Sequence, residues 1–512
     1  MRKITGRFGA AAGVAALMGL LLAAAIAAPA QTFTTLHSFD GTDGANPQAA
    51  LVQATDGNLY GTSPRGGGPN DQGTVFKVTT TGTLTTIYSF CALVSCIYSG
   101  AQPLDGLLLA SDGTFYGTAL NGMNARGTVF KLTTTGALTV LYNFCAQTNC
   151  TDGATPHAGL IQANNGDFYG TTQAGGVNND SFCYYAMGGC GTVFKITPAG
   201  TLTTLYSFCA QPNCADGDEP VAGLVQGTDG NFYGTTPAGG NINSCVSYTS
   251  AGCGTIFKIT PNGTLTVLHT FDVTDGSIPV AGLIQGTDGN FYGTTSQGGN
   301  LSACNAFGCG TIFKVTPGGA LTTLYSFCAQ ANCADGSGPT AGLVQATDGN
   351  FYGTTSYGGS STACTGGCGT IFRITPAGVL TTLHSFDVTD GAQPSAGLVQ
   401  ATSGAFYGTT IQGGSYSCVY YSGCGTIFRL SVGLGRFVET LPTSGKVGVT
   451  IKILGSNLKG ASSVTFNGIP ATFKVISPSE IGTSVPTGAT TGPVQVVTPS
   501  GTLTSNVNFR VQ

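Results

Sequence analysis

The stretch GLVQATDGNFYGTTSYGGSSTACTGGCGTIFRITPAGVLTTLHSF, residues 342–386, decides the fold. It divides into four short runs rich in Thr, Tyr, Phe, Val and Ile, the composition of strands. Residues 342–347 form the first run, which ends at the turn pair Asp348-Gly349. Residues 350–355 form the second, followed by a Gly-rich loop. Residues 369–375 form the third and end at Pro376-Ala377-Gly378, and residues 379–386 form the fourth. No segment carries the 3.6-residue periodicity of a helical solenoid.

The unit recurs along the chain. Tyr-Gly-Thr begins at Tyr60, Tyr116, Tyr169, Tyr233, Tyr292, Tyr352 and Tyr407, at spacings of 53 to 64 residues. Gly-Thr-Val/Ile-Phe begins at Gly73, Gly127, Gly191, Gly254, Gly310, Gly369 and Gly425. Seven four-stranded units predict an all-β fold, a seven-bladed β-propeller rather than a linear β-solenoid, whose coils are shorter. The fourth run follows only the first six units. Its seventh copy, Thr34-Thr35-Leu36-His37-Ser38-Phe39, lies near the N-terminus. The propeller is therefore expected to be closed by an N-terminal strand, which removes the exposed sheet edges of an open array.

Composition sets the class and the compartment. The chain has 512 residues with 81 Gly, 18 Cys, no Trp and 8% charged residues, which excludes a disordered, coiled-coil or nucleic-acid-binding protein. Residues 1–30 read as a secretory signal peptide: Arg2, Lys3 and Arg7 precede an apolar run that ends in Ala28-Pro29-Ala30. Its removal takes the formal charge from −4 to −7, further from any nucleic-acid partner. No transmembrane span is expected after cleavage, because no later run holds some 18 apolar residues.

The cysteines fall into nine close pairs. Four follow C-x4-C: Cys91/Cys96, Cys145/Cys150, Cys209/Cys214 and Cys328/Cys333. The others are Cys183/Cys190, Cys245/Cys253, Cys304/Cys309, Cys364/Cys368 and Cys418/Cys424. Even count, local pairing and a signal peptide imply disulfides. Zinc, the rival, prefers more regular spacing and often His, of which there are only 4. In an antiparallel blade the loop between strands two and three and the link to the next blade share one face. All nine pairs are expected in those segments, as locks on individual loops, so one face is decorated and the other plain.

The repeat spans residues 31–432, after which residues 433–512 change character. Short runs at 449–455, 463–467, 472–476, 492–497 and 506–511 suit a small β-sandwich. Two resemblances rest on these motifs. The pieces Asp-Gly-Asn-Phe-Tyr-Gly-Thr-Thr and Gly-Thr-Ile-Phe-Lys-Ile-Thr-Pro resemble the GloVer tandem repeat of exported bacterial proteins. Pro442-Thr443-Ser444-Gly445, Gly455-Ser456-Asn457-Leu458 and residues 485–492 look like an IPT/TIG domain, an immunoglobulin-like module. The resemblance implies an extracellular or surface protein and supplies no catalytic residues.

Candidate sites are few. Asp-Gly-x-x-Pro precedes the first strand at Asp43, Asp152, Asp216, Asp275, Asp335 and Asp390, with Ser99 in the second unit. A ring of six carboxylates at the channel mouth would suit Ca²⁺. Capping of backbone amides in an Asp-Gly turn is the favoured reading, so no metal is assigned. Asp216, Asp218 and Glu219 break the repeat and could serve sugar chemistry, against a solvated loop. His37, His269 and His384 occupy the Tyr position of the fourth strand and read as packing residues. The repeated Tyr read as blade core. Tyr184, Tyr185, Tyr248, Tyr420 and Tyr421 offer aromatic contact area in the variable loops. The expectation is a secreted, periplasmic or cell-surface, non-enzymatic binding or adhesion protein. It needs no cofactor, and its partner is an extracellular carbohydrate or a surface protein. The alternatives are a polysaccharide-active enzyme and a structural envelope protein.

Overall fold

The computed structural model describes residues 31–512, apart from 92–99, 123–125, 179–182, 184–187, 241–244, 246–251, 305–306, 417 and 419–422. The signal segment and the five loop tyrosines, Tyr184, Tyr185, Tyr248, Tyr420 and Tyr421, lie outside the described residues.

Each repeat folds into a four-stranded antiparallel sheet with its strands in chain order. The sixth unit comprises Val344–Gln345, Phe351–Thr355, Thr370–Ile374 and Leu380–Ser385. The first strand pairs over two residues only, less than its sequence run. Its preceding residues face the neighbouring units instead. In the seventh unit the outer strand is Thr32–Ser38, antiparallel to Thr426–Ser431, with Phe33 opposite Leu430. Both ends of the repeat region thus share one sheet.

The repeated motifs are the joints between sheets. Tyr of Tyr-Gly-Thr is buried and its ring packs on the second-strand aromatic of the next unit: Tyr169 on Phe232, Tyr233 on Phe291 and Tyr292 on Phe351, at 3.9–4.0 Å between centroids. Gly of the motif admits the third-strand Phe, since a Cβ on Gly353 would stand 2.6 Å from the Phe372 ring. Thr donates its hydroxyl to a carbonyl just ahead of the first strand of the next unit, as Thr235 to Ala281 at 3.0 Å and Thr354 to Ala396 at 3.1 Å. The seventh unit repeats these contacts on the first. Thr409 Oγ1 donates to the Ala49 carbonyl at 3.4 Å, the Thr402 amide donates to Gln53 Oε1 at 2.8 Å, and Tyr407 shares a buried cluster with Leu59. The seven sheets form a propeller-like ring.

The C-terminal segment folds into an immunoglobulin-like sandwich. One sheet orders Val438–Leu441, Thr450–Gly455, Glu480–Ser484 and Phe473–Ser477; the other orders Ile469–Pro470, Ser463–Phe466, Val494–Thr498 and Gly501–Thr504. Ile451, Ile453, Phe466, Ile481, Val494 and Phe509 fill the space between them. The sandwich rests on the plain face of the ring. Ser479 Oγ donates to the Thr55 carbonyl at 2.7 Å, Arg510 to the Thr228 carbonyl at 2.7 Å, and Thr402 Oγ1 pairs with Ser456 Oγ at 2.9 Å. Ser444 bonds Asn164, and Leu441 and Leu454 pack with Tyr60, Leu109 and Phe115 of the ring. These contacts fall on the first-to-second-strand turns of five units.

Candidate functional site

The links on the decorated face come in two chemistries. After the second, third and fifth units they carry a disulfide: Cys145–Cys150, Cys209–Cys214 and Cys328–Cys333. There the fourth strand supplies a Tyr whose hydroxyl donates to the link Asp. The pairs are Tyr142 to Asp152 at 2.8 Å, Tyr206 to Asp216 at 2.7 Å and Tyr325 to Asp335 at 2.8 Å. Each of these fully buried carboxylates also accepts two amides of its own loop, such as Ala329 and Gln330 for Asp335. Burial, then the neighbouring Asp, raises the phenol pKa of each Tyr.

The links before the first unit and after the fourth and sixth hold no Cys. Their fourth-strand residue is His, bonded to the link Asp: His37 to Asp43 at 2.6 Å, His269 to Asp275 at 2.7 Å and His384 to Asp390 at 2.8 Å. A second Asp turns the shorter loop, as Asp272 Oδ1 accepts the Thr274 amide at 3.0 Å. The register places His269 opposite Ile256 and Tyr325 opposite Ile312, the same position in two units. The expected His-for-Tyr exchange holds, but these imidazoles orient a carboxylate as well as packing.

Asp43, Asp152, Asp216, Asp275, Asp335 and Asp390 each bond the fourth-strand His or Tyr and cap loop amides. The physical reason is local: an Asp-Gly turn leaves several amides unpaired, and the nearest carboxylate takes them. Asp216, Asp218 and Glu219 diverge. Asp216 faces Tyr206, Asp218 is buried within 4.8 Å of sulfurs from Cys183, Cys190 and Cys209, and Glu219 meets Gln173 Nε2 at 3.5 Å.

Eight of the nine expected cysteine pairs are disulfides; Cys96, of the remaining pair, lies outside the described residues. Each bridge spans a single loop or link, but one of its ends is often not at the surface. In the pairs between the second and third strands, the later cysteine is part of the blade core: Cys190, Cys253, Cys309, Cys368 and Cys424 are at most 1% exposed. Cys253 packs with Ile256 and Phe271, Cys368 with Ile371 and Phe386, and Cys424 with Phe39 and Ile427. Their carbonyls accept amides of the following link, Ile278 to Cys253 at 3.0 Å, Gln393 to Cys368 at 2.9 Å and Asn46 to Cys424 at 2.8 Å. The reason lies in the chain path. Cys253, Cys368 and Cys424 directly precede the Gly-Thr that opens the third strand, so the backbone is already entering the sheet. A bridged sulfur is apolar and packs there as a small hydrophobe. These residues therefore anchor a loop to the blade and offer no contact surface themselves.

In the fifth unit loop and link meet, with Cys304 Sγ 3.7 Å from Cys328 Sγ. Beside the third unit, a groove of about 670 Å³ runs between Gln147 and Thr151 of one link, Val177 and Asn178 of a loop, and the outer strand Leu202–Ser207.

A second site lies on the ring axis, where the segments just ahead of the seven first strands line a cavity of about 540 Å³. The repeat reads Pro-x-Ala-Gly-Leu here, as in Pro220-Val221-Ala222-Gly223-Leu224. Ala stands at 49, 158, 222, 281, 341 and 396, but Asp105 replaces it in the second unit. Its carboxylate accepts the Gly106 amide at 2.6 Å and the Gly159 amide of the next unit. Burial raises its pKa, partly opposed by those two amides. His157, at the variable position of the third unit, shares the cavity, and burial pushes its imidazole down to about 4. Sequence reasoning missed both. Aligning the units column by column would have exposed Asp105, but nothing short of the ring shows that this column faces an axis.

Fold and loops together define a class, an extracytoplasmic β-repeat protein: eight disulfides require an oxidising compartment, and among the described residues no helix is long and apolar enough to cross a membrane. The chain belongs to the Gloeobacter/Verrucomicrobia repeat family, whose pattern matches residues 11–184, 97–307, 184–363 and 246–450, and residues 437–511 match the IPT/TIG domain. No curated protein sequence matches the chain. Among solved structures, a luciferin-regenerating enzyme is similar at 11% identity, covering 80% of this chain and 97% of its own, with a TM-score of 0.40. An oxidoreductase (glucose dehydrogenase) from Thermus thermophilus is 15% identical over 78% of this chain and 100% of its own, with a TM-score of 0.37. A gluconolactonase from Xanthomonas campestris is 11% identical over 79% of this chain and 90% of its own, with a TM-score of 0.36.

Proposed function

We propose that the protein is a secreted, periplasmic or cell-surface binding protein without catalytic activity, built as a closed seven-bladed propeller. It engages an extracellular carbohydrate or surface protein through its loop face. One observation carries this reading. The sandwich covers turns of five units on one face, which leaves the opposite face, with its disulfide-ordered loops, open to a large partner. Short bridges, several of them anchored in the blade core, order loops before contact and so lower the entropy lost on binding. The groove beside Leu202–Ser207 adds a concave seat on that face. A glycan array and a surface-protein binding screen with the mature chain test it. Binding should be lost when the loop disulfides are removed and kept when the sandwich surface is altered. Turnover of a polysaccharide that disappears in Glu219→Gln would replace this reading with the enzymatic one.

A further inference from the structure

The axial cavity is chemically lopsided. The variable position of the repeat supplies Val221 and Val280 from the fourth and fifth units, an aliphatic wall. The second and third units supply Asp105 and His157, and the seventh supplies Ser395. Among the described residues no Lys or Arg lines the cavity, so the Asp105 carboxylate meets two backbone amides and no counter-charge. The Ser395 hydroxyl is buried without a hydrogen-bond partner among the described residues. A half-buried carboxylate lacking a cation and a buried hydroxyl lacking a partner are both costly unless a ligand completes them. Asp105 also replaces an Ala that suffices in six other units, so the fold itself does not need it.

We propose that this cavity binds a small aliphatic ammonium ion, with its charge on Asp105 and its hydrocarbon against Val221 and Val280. The ammonium group has three N–H donors, and the site offers acceptors of the right kind in Asp105, the neutral imidazole of His157 and Ser395 Oγ. Charge-assisted bonds to a partly desolvated carboxylate are stronger than neutral ones. An anion would meet like charge with no cation to compensate, and a neutral alcohol would leave the carboxylate without a counter-ion. The sandwich rests on turns at one end of the axis, so entry is from the loop end. The site is separate from the loop surface of the proposed function, and either can fail alone.

The test is calorimetric titration of the full mature chain with n-pentylammonium chloride, 1-pentanol, sodium pentanoate and CaCl₂. Only the ammonium salt should bind. Asp105→Ala restores the residue of the other units and should fold with an unchanged circular dichroism spectrum while weakening binding at least tenfold. Asp105→Asn, isosteric and uncharged, should give the same loss, and Ser395→Ala a severalfold one. Binding of the alcohol as tightly as the ammonium ion, or unchanged ammonium affinity in both Asp105 variants, would overturn the proposal. Heat with CaCl₂ alone, abolished by Asp105→Asn, would overturn it in favour of a metal site.

Discussion

The two faces of the ring use the same residue to opposite ends. On the face beneath the sandwich, the turn Asp is partly open to water: Asp348 accepts the Asn350 amide at 3.1 Å and the Tyr352 hydroxyl at 2.9 Å. In the Cys-bearing links of the loop face the Asp is sealed, as Asp335 is, beneath a disulfide and three donors. One face is regular enough to seat a second domain. The other devotes its sequence to ordering long loops. The difference teaches that the repeat keeps its joints and varies only where a segment leaves them.

The widest gap between the faces should appear on removing these carboxylates. Asp335 is fully buried, and Asp335→Ala strands a half-buried phenol and two loop amides, which costs about 2–3 kcal/mol. Asp348→Ala, where water can substitute, should cost about 1 kcal/mol. Hydrogen exchange of the Ala329 and Gln330 amides against that of Asn350 measures both, and equal losses would break the comparison.

A disulfide is the next largest element. Cys328→Ser with Cys333→Ser reopens a loop of about six residues and should cost about 2 kcal/mol in the chain-entropy model. Exchange should rise in that link alone and leave the sandwich contacts unmoved. A general loss of protection would mean that the bridges hold units together, not single loops.

The covered face has its own signature in pH. Glu439 stands on the same side of its strand as Leu441, which packs on the ring, and burial raises its carboxyl to about 7 despite a bond from Asn506. The unfolded chain titrates near 4.3. Below that value both states are protonated and the group costs nothing; the penalty grows as pH rises and is complete above about 7. Glu439→Gln should therefore raise the melting temperature by a few degrees at pH 8 and leave it unchanged at pH 4. A shift of equal size at both values would remove the assignment.

The smallest effect sharpens the comparison within the loop face. His269→Tyr in a short link should cost about 1 kcal/mol, because the longer phenol displaces the Asp275 bond. Replacing residues 272–275 with the Cys-bearing link in the same protein should recover most of it. Non-additivity in that double-mutant cycle measures the coupling of side chain to link.

Much of this was legible beforehand. Tyr-Gly-Thr and Gly-Thr-Ile-Phe mark strands because alternation and turn residues are local signals. The orphan strand at 34–39 foretold the shared seventh sheet, and cysteine spacing foretold local bridges. That spacing did not show Cys253, Cys368 and Cys424 sinking into the blade core, because burial depends on the sheet packed above them. The role of the link Asp was legible only as a choice between two readings. Asp-Gly favours a turn but leaves a metal ring open in one dimension, and the direction of the carboxylate depends on Tyr325 or His269 arriving from the strand before it.

The sequence by itself determined the seven units, their four strands, the sandwich and the oxidising compartment. These follow from short-range pattern, which needs no knowledge of what lies opposite. Only the tertiary structure decided that the sandwich rests on the plain face, that the six link carboxylates bond their fourth strands, and that Asp105 and His157 line the axial cavity. Those facts depend on residues from different units meeting in space, and 53 to 64 residues of chain separate each unit from the next.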